Sequence, residues 1–139
     1  MEKAIHCAAM LLALTCASCR AKTNNIFPVT GKVTYNGAPA AGAAIFFYRK
    51  GAGLEEHMVM GVIQNDGSFE LVCGPLGKGA PPGEYDVLVE WRPVVAQRNG
   101  NPQRGPDQLK GRYSDRSRPL LHATVEARAN DLPPFDLTD

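Results

Sequence analysis

Apolar side chains in this chain recur at every second position, in short runs broken by eleven prolines and fourteen glycines. That combination argues against long helices, which need an apolar stripe at three- and four-residue spacing, and predicts a protein built from strands. The pattern is cleanest at Tyr85, Val87, Val89 and Trp91, which fall on one side while Asp86 and Glu90 fall on the other. A strand with one apolar and one polar side is half-buried, as in an antiparallel sheet packed on one face.

Seven such segments follow in order. Residues 29–35 put Val29, Gly31, Val33 and Tyr35 on one face and Thr30, Lys32 and Thr34 on the other. Asn36-Gly37 then reads as a tight turn, because both residues tolerate positive φ. Residues 43–49 are apolar almost throughout, which predicts a strand covered on both faces. A third strand spans 58–64, and Asn65-Asp66-Gly67 reads as a hairpin turn that folds its partner, 68–73, back against it. Strands at 85–91, 120–128 and 135–137 complete the set, with Leu121, Ala123, Val125 and Ala127 on one face and Asn130-Asp131 as a turn. Residues 92–119 lack apolar periodicity and are rich in Arg, Gly and Pro. A structureless connection of that length is uncommon in a compact domain and marks a functional or mobile segment. Together these features predict an all-β, seven-stranded antiparallel β-sandwich.

The amino terminus has a different character. Lys3, an apolar centre at Met10-Leu11-Leu12-Ala13-Leu14 and the small residues Ala17-Ser18 are the parts of an export signal. The run is too short to span a bilayer, which takes about 20 apolar residues. Cys16-Ala17-Ser18-Cys19 resembles a bacterial lipobox, in which small residues precede a cysteine that becomes the lipidated first residue. The resemblance implies a signal peptide over 1–18, a lipidated Cys19 with a tether over 19–27, and a folded domain over 28–139. The lipid would hold the domain at a membrane, on the exported side of the cell envelope. Lipoboxes usually carry Leu where Cys16 stands; Cys16 is itself a second choice, and cleavage near Ser18 or Ala21 without a lipid is the alternative.

Fifteen basic and fourteen acidic residues leave a net charge of +1, so nothing in the overall charge favours a nucleic-acid partner. Arg98, Arg104, Lys110, Arg112, Arg116 and Arg118 gather in the 92–119 segment, either as a surface for an anionic partner or as a solvated loop. Three of the four cysteines lie in the export segment, which leaves Cys73 without an internal disulfide partner. It follows Phe69 and Leu71 at period two and is expected in the core.

Four segments follow one family pattern in order: VTGKVTYNGAPAAGAAIFFY (29–48), NDGSFEL (65–71), PPGEYDVLVEW (81–91) and RYSDRSRPLLHATVEARANDLPPFDL (112–137). The chain resembles the transthyretin-like, carboxypeptidase-regulatory-like β-sandwich domains of bacterial envelope lipoproteins, especially those of planctomycetes. The resemblance implies a prealbumin-like sandwich, usually without assigned activity.

No catalytic constellation accompanies that pattern. The hydrolases most similar to transthyretin end in a Tyr-Arg-Gly-Ser type motif, and this chain ends Phe135-Asp136-Leu137-Thr138-Asp139. Similar sandwiches that hold iron use two Tyr and two His, and a zinc site wants four ligands. Outside the export segment only His57, His122 and Cys73 are present beside four tyrosines, so no metal or cofactor is expected. Ser68, Ser114 and Ser117 have no evident base beside them, and both histidines read as solvated. Lys32, Glu90 and Asn130 form a nominal set for a covalent cross-link, but Lys32 and Glu90 fall on polar faces. The expectation is a non-catalytic envelope lipoprotein that contacts an envelope protein or glycan. Its expected surface is Trp91, Arg104, Arg112, Arg116 and Arg118. The alternative is an oligomeric small-ligand carrier or transporter accessory domain with an apolar channel between subunits.

Overall fold

Strand β1 (Val29–Tyr35) forms as its alternation requires, burying Val29, Gly31 and Val33 and exposing Thr30 and Lys32. The computed structural model describes residues 25–53 and 56–139; the export segment, including Cys19, lies outside the described residues. After β1 come β2 (Ala38–Pro39), β3 (Ala44–Arg49), β4 (Val59–Val62), β5 (Ser68–Glu70), β6 (Val72–Cys73) and β7 (Gly83–Glu90). The chain continues through β8 (Val94–Ala96), β9 (Pro102–Arg104), β10 (Leu121–Val125), β11 (Asn130–Asp131) and β12 (Phe135–Leu137).

Two sheets result. In the first, β1 is central: β5 and β2 pair with it antiparallel along one edge, and β11 and β12 along the other. The second runs β10-β7-β3-β4-β6, antiparallel throughout. Their inner faces meet in one core, with Val29, Val33, Phe69 and Leu137 from the first sheet and Ile45, Phe47, Val59, Tyr85, Val87, Val89 and Val125 from the second. Burying each such side chain contributes about 1.5–3 kcal/mol. Phe47 makes the inter-sheet aromatic contacts, 6.3 Å from Phe69 and 6.5 Å from Phe135 between ring centroids. The molecule is an all-β sandwich.

Several expectations hold. Asn36 and Gly37 take φ of 49° and 82°, the paired positive values of a tight turn that returns β2 onto β1. Cys73 is buried, and burial pushes its thiol above the usual range. Tyr85 is also buried, and its hydroxyl donates to the Pro81 carbonyl at 2.6 Å. This tyrosine corner ties the entry of β7 to the Pro81-Pro82 bend.

Other expectations are corrected. The described residues form twelve strands, because the pairing partners divide several segments, and the sandwich is not wholly antiparallel: β11 and β12 run parallel to β1. The turn at 65–67 forms, with the Gly67 N–H donating to the Gln64 carbonyl and the Asp66 carboxylate accepting from the Ser68 N–H and hydroxyl. The strand that leaves it, however, pairs with β1 instead of folding back on β4. Only after Leu71 does the chain reach β4 as β6, so residues 68–73 form a corner strand shared by both sheets. Gly31 makes this possible, since a Cβ there would lie 2.7 Å from the Phe69 ring that packs across it.

Residues 43–49 are buried on one face only; Ala44, Phe46 and Tyr48 point away from the core and remain half-exposed. Residues 126–129 turn the chain ahead of Asn130, which begins β11; Ala127 is exposed, because β10 has ended at Val125. The 92–119 segment carries the β8–β9 hairpin and then inserts Leu109 and Tyr113 into the core.

Candidate functional site

The outward face of the second sheet is the surface that departs most from ordinary sandwich chemistry. Cross-strand register sets Phe46 beside Met60, Met60 beside Val72, and Phe46 beside Leu88. An apolar row therefore crosses four of the five strands, from Val72 through Met60 and Phe46 to Leu88, with Ala44 and Val62 paired in the neighbouring row. Outward positions of an antiparallel sheet are normally polar. Here Met58 is 58% exposed, Leu120 53%, Val62 51% and Val72 40%. Leu88 is only 4% exposed although it stands outside the inner core, so its own side of the sheet covers it.

Polar residues flank this row on one side. Tyr48, Asp86 and His122 are consecutive cross-strand neighbours on β3, β7 and β10. One Asp86 carboxylate oxygen lies 2.9 Å from His122 Nδ1 and 3.7 Å from Lys50 Nζ. His122 is solvated, as its sequence position predicted, yet it has a cross-strand partner that sequence spacing did not reveal. The Arg116 guanidinium lies 4.0 Å from the Tyr48 ring centroid, a cation–π contact. Tyr48, Arg49, Lys50, Asp86, Leu88 and Arg116 line a shallow cleft of about 300 Å³. An Asp–His pair orients an imidazole, but nucleophilic catalysis also needs a hydroxyl or thiol beside it. The three serines weighed for that role are engaged in their own turns: Ser68 donates to Asp66, Ser114 to the Gly111 carbonyl and Ser117 to Asp115.

No protein-family model matches the chain, and no curated protein matches it. Among solved structures it is similar to a 9R-lipoxygenase from Cyanothece PCC8801, at 15% identity and a TM-score of 0.46, over 81% of this chain and 16% of that one. It is also similar to a DUF3823 family protein from Bacteroides ovatus ATCC 8483, at 16% identity and a TM-score of 0.41, over 80% of this chain and 43% of that one. The chain thus spans less than half the length of either.

The residues singled out in the sequence occupy separate surroundings. Trp91 is half-buried against the core and meets Tyr35 edge-on, with ring centroids 5.8 Å apart. Arg104 is exposed on β9 opposite Val94. Arg112 stands 5.7 Å from the Tyr113 ring centroid, beside a cavity shared with Tyr35, Lys110 and Asp139. Arg118 pairs with Asp115 at 3.9 Å. Arg116 alone among them lines the cleft on the outward face of the second sheet.

Asp107 fixes the segment that carries these arginines. Its Oδ1 accepts from the Trp91 and Leu109 N–H groups at 2.9 and 3.1 Å, and its Oδ2 accepts from the Gly111 N–H at 3.0 Å. Among the described residues no cluster of His, Cys, Asp and Glu is placed to hold a metal ion. Lys32 and Glu90 lie on the outward faces of different sheets, so with Asn130 they form no buried cross-linking trio. The apolar row escaped sequence reading because its members, at 46, 60, 72 and 88, become neighbours only through strand register.

Proposed function

We propose that this chain is an exported, lipid-anchored β-sandwich of the bacterial cell envelope that acts by binding a protein partner and not by catalysis. The observation that carries this reading is the apolar row of Val72, Met60 and Phe46, with exposed Val62 beside it, on the side of the second sheet away from the core. A contiguous apolar surface rimmed by polar groups is the usual mark of a protein contact site. Tyr48, Asp86, Lys50 and Arg116 supply such a rim, and Tyr and Arg are enriched at interfaces. A folded module on a tether at Cys19 would present this face to its neighbours without needing chemistry of its own.

The test has two arms. The mass of the amino-terminal peptide from membrane and soluble fractions is expected to show an acylated Cys19 in the membrane fraction; an unmodified start near Arg20 or Lys22 removes the anchor from the proposal. A photo-crosslinking residue at Val62 or Val72 should trap a discrete protein in intact cells, while one at Gln103, exposed on the β8–β9 hairpin, should not. Equal trapping from both places, or none from Val62 and Val72, excludes this face. Light scattering of the purified chain separates a foreign partner from a second copy.

A further inference from the structure

Long charged side chains on this surface close onto opposite charges within reach, as Lys78 does on Glu70 at 3.1 Å and Arg49 on Glu56 at 2.6 Å. At the Tyr35 end of β1 they do not. Lys110, Arg112 and Asp139 line one cavity of about 230 Å³, to which Tyr35 and Leu109 add apolar wall. Among the described residues none of the three charged groups makes an ion pair. Opposite charges thus face a common space without closing it.

Each group is held by its own bonds. The Asp139 carboxylate accepts from the Tyr35 hydroxyl and, at 3.3 Å, from Asn36 Nδ2. Those donors, with the charges of Lys110 and Arg112, keep its carboxyl below the usual range, so it is ionised at neutral pH. Lys110 takes φ of 54°, a left-handed conformation that few residues other than glycine adopt. Asp107 holds it there: its carbonyl accepts from the Lys110 N–H and its Oδ2 from the Gly111 N–H, both at 3.0 Å. Backbone strain fixed in this way recurs at ligand clamps. The Arg112 guanidinium lies 5.7 Å from the Tyr113 ring centroid. Nearby carboxylates are engaged elsewhere. Asp107 accepts from the Trp91, Leu109 and Gly111 N–H groups, Glu90 pairs with Arg92, and Asp136 bonds to Thr34.

A cavity that keeps one carboxylate and two cations apart is complementary to a molecule bearing both charges. A simple anion would meet Asp139 as well as the cations, and a simple cation would meet Lys110 and Arg112. We infer that this cavity binds a small zwitterion of the amino-acid class, with its ammonium at Asp139 and its carboxylate at Lys110 and Arg112. The site shares no residue with the apolar row proposed above or with its polar rim, and stands or falls independently of them.

The probe is L-alanine, added to the full-length chain in mild detergent. Trp91, the single tryptophan, meets Tyr35 edge-on at 5.8 Å and reports binding by its fluorescence; the amide shifts of Asn36 and Gly111 locate it. L-Alanine should give a saturable response. Alaninamide, which lacks the carboxylate, and N-acetylalanine, which lacks the ammonium, should each bind about three- to fivefold more weakly, the range of one exposed charge contact. Asp139→Asn should weaken L-alanine by a similar factor and bring N-acetylalanine level with it. Arg112→Gln should do the same for alaninamide. Both side chains are exposed, so neither change reaches the core. Absence of a saturable response to L-alanine overturns the inference. So does N-acetylalanine binding as tightly as L-alanine to the native protein, or an unchanged preference in Asp139→Asn.

Discussion

The Tyr113 hydroxyl holds both backbone groups of Thr138, accepting from its N–H at 3.0 Å and donating to its C=O at 3.1 Å. A side chain from the 92–119 segment therefore does the work of a strand partner just beyond β12. Tyr113→Phe removes both bonds while keeping the ring in the core. It should lower stability by about 1 kcal/mol, since Thr138 is exposed and water replaces the lost partner. Urea unfolding measures the loss, and faster exchange of the Thr138 amide would place it.

Asn130 does a similar job at the bend into β11. Its Oδ1 accepts from the Glu126 N–H at 2.9 Å, and its Nδ2 donates to the Glu126 and Arg128 carbonyls at 3.1 and 2.6 Å. The Asn130 side chain is 8% exposed and makes three bonds to the turn, so Asn130→Ala should cost about 1–2 kcal/mol, water replacing part of the loss at exposed Glu126 and Arg128. Asn130→Asp should be worse, because a carboxylate oxygen would face two carbonyls. A stability order of native, then Ala, then Asp in urea is the expected result; Asp matching the native protein would contradict this account of the turn.

Gly61 sits where the corner strand passes closest to β4, and a Cβ there would meet the Glu70 carbonyl oxygen at 2.9 Å. Backbone cannot rotate aside as a flexible side chain can. Gly61→Ala should cost about 1–3 kcal/mol, in the range of other overpacked core sites. The matching observation is faster amide exchange in residues 70–73 than in β7 or β10.

The tyrosines give the protein a directional response to alkali. Burial holds the Tyr85 phenol protonated up to about 12, while the unfolded chain ionises near the ordinary value of 10.0. The folded state binds the extra proton between these values, so Tyr85 supports folding fully below pH 10 and loses that contribution as pH rises toward 12. Tyr35 is also shifted up, chiefly by its hydrogen bond to Asp139. Tyr113 moves down overall: burial opposes the shift, but the Thr138 backbone bond and Arg112 outweigh it. A spectrophotometric titration should lose its earliest of these phases in Tyr113→Phe. In the native protein Tyr85 should titrate last, together with unfolding.

Replacing Arg112, Arg116 and Arg118 together with alanine should leave the fold intact. All three arginines are exposed, and their contacts are the Tyr113 and Tyr48 rings and the Asp115 carboxylate. The stability loss should stay near 1 kcal/mol or less. If Arg116 helps rim the interaction face, crosslinking from Val62 should decline in this variant. Unchanged trapping would confine recognition to the apolar row.

The sequence by itself determined the class of this fold and the side each strand turns inward. Alternation at Val29–Val33 and Tyr85–Val89, with Asn36-Gly37 between strands, reflects local sterics and the two-residue period of an extended chain, both written into consecutive residues. Tertiary structure decided the pairing. No local feature tells Ser68 to leave its turn for β1, sets β12 parallel to that strand, or aligns Phe46, Met60, Val72 and Leu88. Those outcomes depend on which distant edge is free and which inward residue fills the core, as Phe69 does over Gly31. The 92–119 segment illustrates the same limit. Its two core residues, Leu109 and Tyr113, have no period to announce them, because they are held by Asp107 and Thr138 and not by a regular strand.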